Sequence, residues 1–336
     1  MNIPFDPEFA AGARNAVEVC LRIQRHEKVT IITDVETAPI ASSIAHRLGE
    51  LGIYFNFWLL EELAPRPLAD MPQVVLDDLE TSHVSIFAAQ AQTGELRSRM
   101  QMTDVVNRRK IRHAHMVNIT PQIMLAGMRA DYHRVDALSL KILEITSRAK
   151  VVTAKTPAGT DLVAVMNPAY KWIKTSGIIS ENTWGNLPGG EVWTTPGEVD
   201  GVFVCDGVVG DYLCAKYGDL KSTPLTIHVK GNRLASAHSE NKTLEDEFWK
   251  YTHTDENSDR VGEFAIGTNI GVKDVIGNIL QDEKIPGVHI AFGNPYGAHT
   301  GADWFSSTHI DVVGRSFDVW ADDLQIMHDS RFLVTP

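Results

Sequence analysis

Ionisable side chains of the metal-binding type recur in short, apolar, glycine-bounded segments of the second half of the chain. The segments NLPGGEVW, GEFAIG, VHIAFG and THIDVV carry, in this order, Glu191, Glu263, His289, His309 and Asp311. Side chains alternate between the two faces of a strand, so His309 and Asp311 share a face if their segment is a strand. A histidine and a carboxylate placed in this way form a good pair of metal ligands.

The combined charge of this set favours a chemical role over a structural one. A single buried member could be an ion-paired or hydrogen-bonded core residue, which is the commoner role. Several such groups in apolar segments are costly to bury unless they neutralise one another or a cation. The three carboxylates carry a formal charge of −3, which two divalent ions and one bridging hydroxide would neutralise. Oxygen and nitrogen ligands without thiolates suit Zn²⁺, Mn²⁺ or Co²⁺, so the pattern favours a two-metal hydrolase.

The other histidines that we considered fit structural roles better, with one exception. His113 and His115 form an H-x-H pair, but their basic neighbours make a poor setting for a cation, and we expect surface or core positions for them. His253 lies in a polar loop and is expected to be solvated. His299, in a glycine-rich loop near the THIDVV segment, could face a substrate or support a ligand. The chain has no GxSxG motif, and no cysteine lies in a reactive setting.

The elements that must position these residues fall into two predicted domains, 1–150 and 151–336. In the first, strands are predicted at 28–34, 53–60 and 84–89, with helices at 38–51 and 136–149. This alternation is typical of an α/β domain with a mostly parallel sheet. The sequence contains neither GxGxxG nor GxxxxGK[ST], so no nucleotide is expected. We interpret this domain as a scaffold, a dimer surface or a wall of the substrate cavity.

The sequence pattern of the second domain is different, with short, closely spaced strand patterns separated by glycine turns. Strands are predicted at 151–154, 162–165, 201–205, 225–229 and 288–292, and helices near 244–251 and 272–280. We therefore expect an α+β domain with a curved, mostly antiparallel sheet that carries the metal site.

Composition restricts the classes of partner. The chain has 336 residues and a formal net charge of −12, which argues against nucleic acid and against an anionic membrane surface. No apolar run approaches the roughly 18–20 residues of a membrane-spanning helix. The N-terminus lacks the pattern of a secretory signal. Cys20, Cys205 and Cys214 are odd in number and lack CxxC spacing, so we expect free thiols and a cytoplasmic protein.

Taken in order, the four segments resemble the M29 family of metallo-aminopeptidases, the thermophilic aminopeptidase T type. The resemblance covers most of residues 150–315 and includes a tyrosine, Tyr296, seven residues after His289. It implies that the five residues named above are ligands of a paired metal site, with Glu263 serving also in catalysis, and that Tyr296 is the catalytic phenol. It further implies a homodimer that removes N-terminal residues from peptides or cleaves a related small amide.

Two other functions remain open at this stage. Mononuclear non-haem iron dioxygenases that cleave the ring of 2,5-dihydroxypyridines look similar in the C-terminal domain, and they bind ferrous iron with two histidines and one carboxylate. His309 and Asp311 would supply two of these ligands, but Glu263 stands where the other histidine would be needed. A metal-stabilised structural protein is the third possibility, although one closed four-coordinate site would not require five ligands and a tyrosine.

Overall fold

The computed structural model describes residues 5–181 and 184–335. Its strands, numbered along the chain, are β1 Val29–Thr33, β2 Phe55–Leu59, β3 Val84–Ala88, β4 Arg112–His115, β5 Val151–Lys155, β6 Asp161–Val165, β7 Ile173–Lys174, β8 Gly185–Asn186, β9 Glu191–Thr194, β10 Glu198–Cys205, β11 Leu225–Lys230, β12 Arg233–His238, β13 Val261–Gly267, β14 Gly287–Gly293, β15 His309–Val313, β16 Asp318–Ala321, β17 Leu324–His328 and β18 Arg331–Phe332.

The helices of the same residues are mostly short. The α-helices are α1 Ala10–Arg14, α2 Ala38–Glu50, α3 Leu60–Leu63, α4 Gln73–Leu79, α5 Leu96–Arg109, α6 Pro121–Leu125, α7 Tyr132–Thr146, α8 Asp211–Tyr217, α9 Lys242–Tyr251, α10 Ile279–Asp282 and α11 Gly297–Thr300. Short 3₁₀-helices lie at Pro7–Phe9 and Gly127–Arg129, and a π-helical turn lies at Asn15–Cys20. None of these helices combines the length and the apolar character that a membrane-spanning helix requires.

The chain forms two compact units, drawn from Met1–His133 with Gly177–Gly189 and from Arg134–Ser176 with Gly190–Pro336. The first unit holds a parallel sheet of order β2-β1-β3-β4-β8. β1 and β3 are buried along their whole length, as expected for strands that are covered on both faces. The apolar positions of α4 and α5 join them in one hydrophobic cluster.

The second unit contains two antiparallel sheets that share a hydrophobic core. One sheet has the order β12-β11-β10-β6-β5-β16-β17-β18, and the other has the order β15-β14-β13-β9-β7. In β6 alternate residues are buried and exposed, which is the pattern of a strand with one face in the core and one in solvent. In β13 and β14 every residue is buried, so the second face of these strands is enclosed as well.

The predicted fold class is confirmed, with a parallel sheet in the N-terminal part and antiparallel sheets after it. The helix predicted at 272–280 is wrong: only α10 forms there. The Asp282 carboxylate accepts hydrogen bonds from the backbone N–H groups of Ile276, Gly277 and Asn278, and these bonds hold the segment in a turn. The domain limits 1–150 and 151–336 stay a prediction; the division between the compact units falls within α7, and residues 177–189 return to the first unit.

Gly190 determines where β9 begins, directly before a predicted metal ligand. Its φ is +129°, which only glycine adopts readily, and a Cβ there would lie 2.6 Å from Asn269 Cβ. Its N–H donates to Thr175 O at 2.8 Å, and its carbonyl accepts from Thr268 N at 2.7 Å. These contacts leave no room for the backbone to move away from an added methyl group.

We expect Gly190→Ala to lower the free energy of unfolding by about 1–3 kcal/mol, as strain in a restricted backbone region typically does. Thermal denaturation measures the effect. The control is Gly49→Ala in α2, where an added Cβ meets nothing within 4 Å and should stabilise by about 0.5–1 kcal/mol. Equal melting temperatures for Gly190→Ala and the wild type would contradict this account.

Candidate metal centre

The structure brings the five predicted ligands to one face of the sheet formed by β9, β13, β14 and β15. Residues of the opposite face, among them Phe264, Ile290 and Val312, are fully buried in the hydrophobic core. Strand alternation therefore turns the ionisable residues away from the core. Four of the five are buried, namely Glu191, Glu263, His289 and Asp311.

Small residues occupy the positions between the ionisable side chains. Ala265 lies between Trp193 and His289 across three strands, and Ala291 lies between Glu263 and Asp311. A larger side chain at either alanine would project into the space that the carboxylates and imidazoles surround. The sheet thus places the candidate ligands around small residues.

The ionisable groups form three overlapping clusters whose ligand atoms lie within 4.8 Å of one another: Glu191 with Glu263 and His289, Glu263 with His309 and Asp311, and Glu283 with His289 and Asp311. His289 Nε2 is 3.6 Å from Glu191 Oε2 and 3.5 Å from Glu263 Oε1. His309 Nε2 is 3.6 Å from Glu263 Oε2 and 3.4 Å from Asp311 Oδ1. Each pair of clusters shares one residue, so the six residues make a closed ring.

Glu283 is the member of this ring that the sequence analysis missed. It follows α10 in the segment Gln281-Asp-Glu-Lys284, a run of charged residues that is typical of a solvated turn. No apolar or glycine pattern marks it as buried. Glu283 lies six residues before His289, and this spacing indicates a shared site only when the turn between the two residues is known.

Lys284 places a buried ammonium group against this ring. Its side chain is 2% exposed, and Nζ donates to Glu191 Oε1 at 2.6 Å and to Glu283 Oε1. Thr175 Oγ1 donates to the same Glu191 oxygen at 2.8 Å, so Glu191 Oε2 is the oxygen directed towards His289. With Glu283 included, four carboxylates and one ammonium again carry a formal charge of −3.

The electrostatics of the ring strongly favour positive charge. Burial lowers the pKa of His309, but the carboxylates of Asp311 and Glu263 outweigh it and raise this pKa to about 10. Burial likewise disfavours charge on His289, yet Glu263, Glu191 and Asp311 raise its pKa above the usual value. Burial raises the pKa of Glu283 to about 8, although the Lys284 ammonium opposes this shift. The carboxylates therefore stabilise cationic groups beside them.

A divalent metal ion fits these residues. His289 Nε2 is buried and has no hydrogen-bond partner among the described residues, which is unusual for such an atom. The Nδ1 atom of His309 lies 3.0 Å from Asn294 O, a contact that orients the ring of a metal-binding histidine and leaves Nε2 for the metal. The donors are oxygen and nitrogen atoms without thiolates, as Zn²⁺, Mn²⁺ and Co²⁺ accept.

Tyr296 lies beside the ring of ligands. Its aromatic centroid is 4.5 Å from that of His309 and 6.0 Å from that of Trp193. Desolvation of its hydroxyl and the neighbouring carboxylates of Asp311 and Glu263 raise the pKa of Tyr296 well above the usual value, so the hydroxyl keeps its proton. The phenol ring of Tyr296 therefore lies next to a histidine of the clusters.

The remaining histidines lie outside these clusters. His113 and His115 are buried on β4 in the first unit, where His113 Nδ1 bonds Ser85 Oγ at 2.8 Å and the two imidazoles bond each other at 3.2 Å. His253 is exposed and stacks on Trp249. His299 packs edge-on against Trp193, 6.3 Å between centroids, which places it near Tyr296.

A buried carboxylate–imidazole centre of this kind is suited to bind divalent metal ions. The sequence profile of the thermophilic metalloprotease (M29) family matches residues 137–315, more than half of the chain, and the chain belongs to this family. It is therefore a metal-dependent peptidase, and the family resemblance seen in the sequence is confirmed. No protein of curated function matches the chain in sequence.

Two solved structures resemble the whole chain. Wild-type AmpT from Thermus thermophilus has a TM-score of 0.70 and 17% identity, over 97% of this chain and 99% of its own. The 2,5-dihydroxypyridine dioxygenase from Pseudomonas putida KT2440 has a TM-score of 0.70 and 13% identity, over 98% and 97%. At these identities both structures show a common fold, and the similarity does not by itself distinguish their activities.

We expect Lys284→Met to destabilise the metal-free protein more than the metal-loaded one. Removing one partner of a buried ion pair leaves uncompensated charge and typically costs about 3–5 kcal/mol, whereas bound cations would neutralise the same carboxylates. The measurement is the melting temperature with and without divalent metal, and the rise on adding metal should exceed that of the wild type.

Lys174→Met is the control, because Lys174 pairs with Asp136 in the same unit and neither residue belongs to the three clusters. It should lower both melting temperatures equally. Equal losses with and without metal for Lys284→Met would show that Lys284 only packs in the core.

Proposed function

We propose that this peptidase is a two-metal aminopeptidase, which removes N-terminal residues from peptides or cleaves a related small amide. The observation that carries the proposal is that the clusters of ligands share members. Glu263 directs Oε1 towards His289 and Oε2 towards His309. A carboxylate with its two oxygens in two adjacent clusters is suited to bridge two ions.

The shared residues also limit the number of ions. In its metal-binding form an imidazole nitrogen offers one lone pair, so His289 Nε2 serves either the Glu191 cluster or the Glu283 cluster. Two ions would then be held by Glu191, Glu263 and His289 and by Glu263, His309 and Asp311. Two divalent ions and one hydroxide neutralise the formal charge of −3 that remains with Lys284 included.

The side chains of this site have distinct roles in the proposed reaction. Bound metal ions would supply Lewis acidity and a hydroxide nucleophile near neutral pH. Glu191, Glu263, His289, His309 and Asp311 would hold the ions, with Glu283 and Lys284 fixing the position of Glu191. Tyr296, protonated because of its raised pKa, would donate a hydrogen bond to the oxyanion that develops on the scissile carbonyl.

The ring-cleaving dioxygenase is the second candidate, because a protein of that activity shares the fold. A mononuclear iron centre of that class needs two histidines and one carboxylate with open positions. Here Glu263 lies between His289 and His309, and four carboxylates surround the two imidazoles. This donor set suits two redox-inactive divalent ions better than one ferrous ion.

Three finer features stay predictions from the sequence. Zinc is the expected metal, with cobalt and manganese as alternatives, because the ligands do not distinguish these ions. A homodimer is implied by the family resemblance. A cytoplasmic location is expected because the three cysteines are free thiols, and all three are buried.

Metal content and substrate class test the proposal together. We expect about two divalent ions per chain by elemental analysis, from the count of shared ligands, loss of peptidase activity with a chelator, and recovery with Zn²⁺, Mn²⁺ or Co²⁺. Glu191→Gln should reduce the metal content, while His253→Asn, at an exposed position, should not. Oxygen consumption with 2,5-dihydroxypyridine and ferrous iron, without cleavage of aminoacyl amides, would instead establish the dioxygenase.

Tyr296→Phe separates a catalytic role for this residue from a packing role. The variant keeps the ring that contacts His309 and removes only the hydroxyl. Loss of one oxyanion donor typically lowers kcat by about 10²–10³, and KM should change little because the ground-state carbonyl is a weaker acceptor. Metal content and melting temperature should stay near those of the wild type. Tyr54→Phe, at an exposed position in the first unit, is the control, and a normal kcat for Tyr296→Phe would assign the residue to packing.

A further inference from the structure

A guanidinium group is held against an aromatic ring at one end of the ligand face. The Arg260 guanidinium carbon lies 3.5 Å from the centroid of the Trp304 ring, a close cation–π contact. Trp304 Nε1 is 3.4 Å from Gly293 O, and the Tyr170 ring packs edge-on against the indole at 6.2 Å. Two neighbours thus position the indole, and the indole positions the guanidinium.

Arg260 has no carboxylate partner within 4 Å among residues 5–181 and 184–335, although it is half-buried. The nearby Arg233 differs, because it pairs with Asp259. Asp303 is the carboxylate that acts on Arg260 from a longer distance, and it is exposed to solvent. A partly desolvated cation without an ion pair is available to an anionic ligand.

The register places Arg260 on the same face as the ligands. Gly293 N donates to Arg260 O at 2.7 Å, and Gly293 is paired with His309 on the next strand. Val261, the next residue, is buried in the core on the opposite face, so alternation turns Arg260 towards the ligand face. Neighbouring strands lie about 4.8 Å apart, which puts the backbones of Arg260 and His309 about 10 Å apart.

We propose that Arg260 binds the C-terminal carboxylate of a peptide of two or three residues. This inference rests on the proposed function and specifies its substrate class. A short peptide is a zwitterion, with its ammonium group at the end to be cleaved and its carboxylate at the other. The carboxylate-rich ring and Arg260 present the complementary charges at two ends of one face.

The spacing sets the length of the peptide. One residue of an extended chain spans at most about 3.3–3.6 Å. Three residues therefore cover the roughly 10 Å between the backbones of Arg260 and His309. Two residues span about 7 Å, and the length of the Arg260 side chain can make up the difference. A longer peptide would carry its terminal carboxylate past the guanidinium and lose the contact.

The test compares each peptide with the same peptide as its C-terminal amide, using alanyl-alanine and trialanine. For the wild type we expect kcat/KM to be at least tenfold higher for the free acids than for the amides, mainly through KM. Arg260→Met should remove this preference. Its kcat/KM for the free acids should fall, and its kcat/KM for the amides should stay within twofold of the wild-type value. Arg260→Lys should retain part of it, because the cation remains. Arg233→Met removes the same charge next to Arg260 and should leave the preference intact.

Binding to the metal-free protein provides a second measurement, independent of turnover. Calorimetry should show tighter binding of alanyl-alanine than of its amide, with at least a tenfold loss for Arg260→Met. If no peptide is cleaved but this dependence persists, the subsite stands and the proposed function fails. If amides and acids are cleaved equally by the wild type, the proposed function stands and the carboxylate subsite is overturned.

Discussion

The candidate centre depends on a lysine ammonium group that is buried between two carboxylates. Lys284 binds Glu191 and Glu283, which belong to the two clusters that compete for His289. Without this cation, four carboxylates would share an enclosed space with only two imidazoles, and their mutual repulsion would oppose folding of the metal-free chain. The same contact leaves one defined oxygen of Glu191 facing the imidazole. Lys284 therefore acts on both the charge and the geometry of the ring.

Antiparallel pairing then makes the ring possible in so small an area. Residues of β9, β13, β14 and β15 alternate between an apolar face, which completes the core, and a face that carries the ligands. Glu263 and Asp311 both oppose Ala291, and His289 lies diagonally from each of them on the strand between. Diagonal neighbours are about 7–8 Å apart, which leaves room for an ion between their side chains. Alanine at 265 and 291 keeps the space between ligands open. The core and the metal centre are thus two faces of one set of strand pairings.

The sequence predicted those parts of the fold and of the candidate site that are marked by a local sequence pattern. The helix at α2 and the strands at β1, β3, β10 and β14 follow hydrophobic periodicity, and the ligands within strands are marked by apolar neighbours and glycines. Glu283 and Lys284 are not marked, because a charged pair after a short helix has the same pattern whether it is solvated or buried. Their burial depends on where the turn before β14 folds, and that is decided by tertiary contacts. Arg260 was missed for the same reason, since its role depends on a tryptophan 44 residues further along.

Under the proposed function, the residue type at position 263 would distinguish the two chemistries associated with this fold. Two solved structures with this fold are named for different activities, one of them a dioxygenase. A neutral imidazole at position 263 would remove one negative charge and could not bridge two ions, because each ring nitrogen offers a single lone pair. The carboxylate that is present adds that charge and directs its two oxygens at His289 and His309. Under the proposed function, a carboxylate at position 263 would couple the number of ions to the charge of the ring, and the strand pairings would not have to change between the two chemistries.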